Sequence, residues 1–249
     1  MKKVLLFFTL GLFFNFSIAQ YAGQVASNMA GAGAQTASAG AIATLDGSIN
    51  EMGTRRMNSS IKEFHGSPYT SNDFAPTSMF YGDEFLGKVY YRYNAFNEEV
   101  EIKKTILPEE KIKSLGRDKA LKILVDGKKM GFKTFIDVKG RTLNGYLTEL
   151  VQGETYDLYR RINVKYTEGQ KAQNSFIKAI PNRFSHFTEY YFQQKGVNRM
   201  DEISLKNGKL LKLVKEEDKE KLKVFLKEND LNIKDENDLI KVFEFLNKV

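Results

Sequence analysis

The order of its periodic segments predicts an α+β chain, an antiparallel β-rich domain followed by a short C-terminal helical pair. Three observations carry this. Between residues 86 and 194 several runs alternate apolar and polar residues with period two, as strands with one buried face do. After Gly208 the apolar spacing changes to i, i+3, i+4, the mark of amphipathic helices. Strands first and helices last favour an antiparallel sheet over alternating α/β units. The expected organisation is a signal peptide at residues 1–19, a flexible Ala/Gly-rich leader at 20–60, an antiparallel β domain at 61–205, and a helical segment at 206–249 packed on it.

Lys2 and Lys3 precede an almost unbroken apolar run at residues 4–14, and Ser17-Ile18-Ala19 offers small residues to a signal peptidase. The run is about half of the ~20 residues needed to cross a hydrocarbon core. Cleavage near Ala19-Gln20 is therefore expected rather than a retained anchor, and no cysteine follows to carry a lipid. The expected product is exported, periplasmic or secreted, with no transmembrane segment in the mature chain. The stretch that follows, as in Met29-Ala30-Gly31-Ala32-Gly33-Ala34, has almost nothing to bury and cannot offset the entropy of ordering.

Strands are expected from near Ile61. Residues 86–93 are rich in β-branched and aromatic side chains, Val100 and Ile102 alternate with Glu99, Glu101 and Lys103, and residues 94–97 form the turn between them. Leu121, Ile123 and Val125 lead to Asp126-Gly127, a pair that tolerates positive φ, and Phe132, Ile136 and Val138 resume the pattern as a second hairpin. Tyr156, Leu158, Ile162, Val164 and Tyr166 share one parity of a strand with one buried face, whose other parity holds Asp157, Arg161, Asn163 and Lys165. Arg160 falls on the apolar parity, where it either lies at a sheet edge with its head in water or pairs with a buried carboxylate. Residues 187–194 add an aromatic strand. Glu216-Glu217-Asp218 opens a helix carrying Leu222, Phe225 and Leu226. Asp235 is the expected N-cap of another, with Asp238 placed as in a capping box.

The formal net charge is +7, and loss of residues 1–19 removes two lysines and no acid. The basic excess is concentrated in residues 103–141, with twelve Lys or Arg against five Asp or Glu. A solvated face of lysine-rich strands accounts for this stretch, and an acidic surface or polysaccharide is the alternative partner. With no cysteine there is no disulfide framework, so stability must come from an ordinary core. No membrane-spanning barrel is expected, because the chain ends in a polar helix.

The two histidines, His65 and His186, lack a partner at metal-ligand spacing, so no metal and no cofactor is expected. No GxSxG elbow or phosphate-binding GxxxxGK[ST] loop occurs. Ser185, His186 and Glu189 supply triad residue types, but neighbours on a strand point to opposite faces. Glu98, Glu99 and Glu101 form an acidic group in the first hairpin. With Asp157 they are the candidate acids for general acid–base chemistry, against a simpler reading as solvated or lysine-paired side chains. Tyr91, Arg92, Tyr93, Tyr190 and Tyr191 are candidate binding residues for sugar, peptide or lipid, although half of each alternating run should face the core. Nucleic acid is excluded as a partner by export and by the lack of any recognised module motif.

At His65-Gly66-Ser67-Pro68-Tyr69, Asp73-Phe74, Arg92-Tyr93-Asn94 and Glu98-Glu99-Val100-Glu101 the chain resembles a family of uncharacterised exported proteins typical of Bacteroidetes-type bacteria. The likeness extends through Leu158-Tyr159-Arg160-Arg161 and Tyr190-Tyr191 to the helical pair. It implies an envelope or periplasmic setting and a β-rich domain with a helical tail, without a mechanism. The leading expectation is a non-catalytic binding or scaffolding module acting on an envelope protein or polysaccharide. A periplasmic hydrolase using scattered carboxylates and a carrier of an apolar ligand are the alternatives.

Overall fold

Strands occupy most of the described residues up to 202, and helices follow. A computed structural model describes residues 49–51, 64–172, 176 and 178–249. The expected signal peptide lies outside the described residues, as does the 20–60 leader except for Ile49–Glu51. Those three residues form a strand, β1, against Lys113–Leu115 (β6). Strand pairing of this kind uses backbone groups that composition does not report.

The remaining strands are β2 (Phe64–His65), β3 (Ala75–Tyr81), β4 (Glu84–Asn94), β5 (Glu99–Lys103), β7 (Leu121–Val125), β8 (Lys128–Ile136), β9 (Thr142–Val151), β10 (Tyr156–Thr167), β11 (Asn182–Gln194) and β12 (Met200–Glu202). The helices are α1 (Asn207–Leu210), α2 (Glu216–Glu228) and α3 (Glu236–Leu246). Both expected hairpins form. In the second, Asp126 and Gly127 have φ of 52° and 75°, so a two-residue turn with positive φ at both positions joins β7 to β8. Val138 does not extend β8. It is exposed in a turn where Asp137 Oδ1 accepts from the backbone N–H of Lys139 and Arg141.

The strands run in the order β1-β6-β5-β4-β3-β7-β8-β12-β11-β10-β9, and β9 pairs again with β8. Strands β8 to β12 therefore form a closed ring. The sheet is mixed rather than purely antiparallel, which corrects that part of the fold class. Four successive antiparallel steps give β12 the same direction as β8, so a five-strand meander can close only through a parallel contact, here Asp201↔Ile136. Strand β2 adds a second parallel pair along β11.

Three apolar clusters hold these elements together. Met79, Val89, Val100, Ile102 and Ile123 centre the first, under β3–β7. Phe135, Leu147, Tyr159, Tyr191 and Met200 form a second, contributed by all five ring strands. In the third, Tyr156, Leu158 and Tyr190 meet Leu222, Leu239, Val242 and Phe243 of the helices. The expectation of one buried face on β10 is corrected here: residues Tyr156 to Tyr159 are buried on both parities, because apolar clusters flank both faces of β10. Full burial of an apolar side chain such as Leu158 contributes about 1.5–3 kcal/mol. Asp235 caps α3 as expected, accepting from the N–H of Asn237 and Asp238. Asp238 does not complete the capping box. Its carboxylate takes the Asn232 N–H and Lys241 instead.

Candidate functional site

The turn after β4 places Glu98 in a left-handed conformation, φ 56°, which aims its carboxylate at β9 and β10. There Arg161 of β10 holds it through Nε at 2.9 Å and through Nη2. Nη1 of the same guanidinium reaches Glu189 of β11 at 2.6 Å. Further donors reach both acids. Tyr93 OH (2.7 Å) and the Tyr146 N–H donate to Glu98, and Tyr191 OH (3.0 Å) and Asn163 donate to Glu189. The guanidinium lies 5.1 Å from the Phe135 ring centroid.

Burial opposes the charge on Arg161, but the two carboxylates outweigh it and raise its pKa. Burial first, and then the neighbouring carboxylate, push the phenols of Tyr93 and Tyr191 up. Glu98 accepts four donors, and Glu189 accepts three. The effect of this cluster is to tie the β4–β5 turn to two strands of the ring.

Two of the other candidate acids, Glu101 and Asp157, are similarly engaged. Glu101, 2% exposed, accepts from Arg92 Nε and Nη2 (2.9 and 2.5 Å) and from Tyr69 OH (3.1 Å). Arg92 in turn sits between the rings of Tyr69 and Phe74, at 3.9 and 4.6 Å. Asp157 is buried and accepts from Lys195 Nζ (2.7 Å), the Gly153 N–H and Tyr159 OH. Glu99 is half-buried on β5. Glu99 and Glu101 therefore do not form a matched pair, since Arg92 and Tyr69 engage one of them.

The candidate binding aromatics also turn inward. Tyr93, Tyr190 and Tyr191 are 3%, 6% and 0% exposed, and Tyr91 is half-buried against the first cluster. Buried in this way, Tyr93, Tyr190 and Tyr191 have no ring face open to a ligand. Tyr190 OH donates to Glu236 of α3, the same carboxylate that Arg160 binds at 2.9 Å, so Arg160 is paired, with a half-buried rather than a buried carboxylate. Burial and Glu236 raise the Tyr190 phenol to about 12. His186 Nε2 lies 2.8 Å from the Ser67 carbonyl while Glu189 faces Arg161, so Ser185, His186 and Glu189 do not assemble.

A concavity lies elsewhere. An open cleft of about 490 Å³ runs along β8 beside β12. Lys119, Lys133 and Arg199 supply its charge, Thr134, Thr142, Gln193 and Asn198 its hydroxyls and amides, and Phe135 and Met200 its apolar floor, with no Asp or Glu in the lining. Lys133 also contacts Glu149 at 3.2 Å, and Arg199 contacts Asp201 at 2.7 Å. None of Glu98, Glu99, Glu101 or Asp157 lines it. Lys119 and Lys133 belong to the basic stretch apparent in the sequence. Asn198 and Arg199 come from a turn more than sixty residues on, and no local pattern joins them.

Among the described residues no group of three or more His, Cys, Asp or Glu is placed to hold a metal ion, and no helix is long and apolar enough to cross a membrane. Compared with family models, with curated proteins and with solved structures, the chain matches none.

Proposed function

We propose that this chain is an exported envelope or periplasmic protein working as a non-catalytic binding or scaffolding module, and that the cleft along β8 engages an acidic partner, protein or polysaccharide. The single observation that carries the reading is the division of charge. Glu98, Glu101 and Asp157 are paired inside the fold with Arg161, Arg92 and Lys195, whereas the lining of the open cleft holds Lys119, Lys133 and Arg199 and no acid, with Lys133 and Arg199 also paired to Glu149 and Asp201 beside it. Opposed surface charge steers and orients a partner, and needs no reacting group. Export rests on the charged, apolar and small-residue order of residues 1–19, and an envelope setting accords with the resemblance at residues 65–69 and 92–101.

The test is retention of the purified protein on polyglutamate and on alginate supports, beside the variant Lys119→Glu/Arg199→Glu. Both positions are exposed, so the reversal should leave the fold intact. Wild type should be retained at low salt and elute as salt screens the contact, and the variant should pass through. Equal behaviour of the two proteins would refute the reading.

A further inference from the structure

Strand β8 has one complete edge and one interrupted edge. Along the first, Phe132 to Phe135 pair with β9 from Tyr146 to Leu143. Along the second, the β7 ladder ends at Gly131↔Lys122 and the β12 contact begins at Ile136↔Asp201. Among the described residues no strand is registered against Phe132–Phe135 on that side, and the cleft lies there.

The β7–β8 turn decides which backbone groups face this gap. With Asp126-Gly127 as a two-residue loop, Val125 and Lys128 are the pair that exchanges hydrogen bonds. Alternation then turns the N–H and C=O of Met130, Phe132, Thr134 and Ile136 toward the interrupted edge, and those of Gly131, Lys133 and Phe135 toward β9. Phe132 adjoins the end of the β7 ladder and Ile136 meets β12. Thr134 lies between them, exposed, with its N–H and C=O directed at the cleft. A solvent-facing strand edge of this kind is a template for another strand.

We propose that this gap accepts an extended acidic peptide of a partner protein by strand addition, the peptide lying in line with β7 and β12 against Thr134. The proposal rests on the binding reading above and names its mode. Four residue positions span about 13 Å of strand, and a peptide residue opposite Thr134 would exchange two backbone hydrogen bonds with it. Lys119, which is exposed and forms no salt bridge among the described residues, together with Lys133 and Arg199, whose acid partners lie outside the lining, selects carboxylate side chains on the entering strand. Backbone groups at strand spacing favour a peptide over a polysaccharide, which has no such ladder to offer.

The experiment uses the full chain and a fluorescein-labelled, acetylated hexapeptide of alternating valine and glutamate, followed by fluorescence anisotropy. N-methylation of alternate amides on its bonding edge should weaken binding roughly tenfold, since each methyl removes a donor. Thr134→Pro deletes the N–H at the gap but spares the β9 ladder, and should weaken the unmethylated peptide by a similar factor. Proline is tolerated at such an edge, and circular dichroism will check the fold. Lys119→Glu/Arg199→Glu provides a second variant should the proline variant not fold, and should abolish the salt-sensitive part of the affinity.

Equal affinity of methylated and unmethylated peptides, or of folded Thr134→Pro and wild type, would overturn strand addition. So would a lack of measurable binding by the unmethylated peptide. Retention on polyanion supports in the same preparations would then leave the binding reading standing, and loss of both would remove it as well.

Discussion

Replacing Arg161 by methionine should destabilise the fold more than any other change to the ionic side chains described above. The substitution keeps an apolar stem of similar length but removes the cation shared by Glu98 and Glu189. The side chains are 10%, 17% and 22% exposed. Removing one partner of a buried pair costs about 3–5 kcal/mol, chiefly because the acids left behind have lost both water and counter-charge. For a chain of this size, ~1 kcal/mol moves Tm by about 2–4 °C, so the melting temperature should fall by roughly 6–20 °C.

The cause can be separated from a packing defect. In a Glu98→Gln/Glu189→Gln background the amide oxygens still accept from Tyr93 and Tyr191, yet no charge is stranded when Arg161 becomes methionine. That triple variant should recover at least about half of the lost stability. Thermal and urea melts followed by circular dichroism measure both quantities. A fall of under about 3 °C for Arg161→Met, or an unchanged deficit after both glutamates are neutralised, would refute the reasoning.

Two further outcomes follow from the same cores. Burial raises Tyr93, Tyr146, Tyr159, Tyr190 and Tyr191 above the ordinary phenol value of 10.0. Their folded pKa values exceed the unfolded ones, so the stability they contribute is fully present below pH 10 and is lost as pH rises through the raised values. The part of the near-ultraviolet tyrosinate absorbance due to these five of the twelve tyrosines should therefore appear late and together with loss of circular dichroism; the full tyrosinate signal reached near pH 10 with circular dichroism intact would contradict this. Asn247 at the end of α3 accepts from the N–H of Thr155 and Tyr156 and donates to the carbonyls of Tyr156 and Phe243. Asn247→Ala should cost about 1–3 kcal/mol by leaving those groups unmatched, and hydrogen exchange at Tyr156 should accelerate; an unaltered melt would show that water replaces the amide.

Features decided over a few residues were legible in the chain itself. Asp126-Gly127 specifies its turn because few other residue pairs accept two positive φ angles, and Asp235 caps α3 because its oxygen need reach only two and three residues ahead. The i, i+3, i+4 spacing of Leu222, Phe225 and Leu226 likewise marks a helix without reference to its partner. Composition also placed the basic excess, two of whose lysines reach the cleft.

What only the tertiary structure decided are relations between distant segments. Arg161 was readable as a polar residue on a strand, but its partners lie 63 and 28 positions away, and no periodicity indicates that a polar face will be enclosed. Period two assigns side chains to faces and leaves open what covers each face. Ring closure and helix packing covered both faces of β10, which withdrew Tyr190 and Tyr191 from the surface. The parallel contact has the same origin, since five strands in a meander must meet head to head in direction once the ring closes. That closure also stops β12 short of β7 along β8, and so leaves the gap at Thr134.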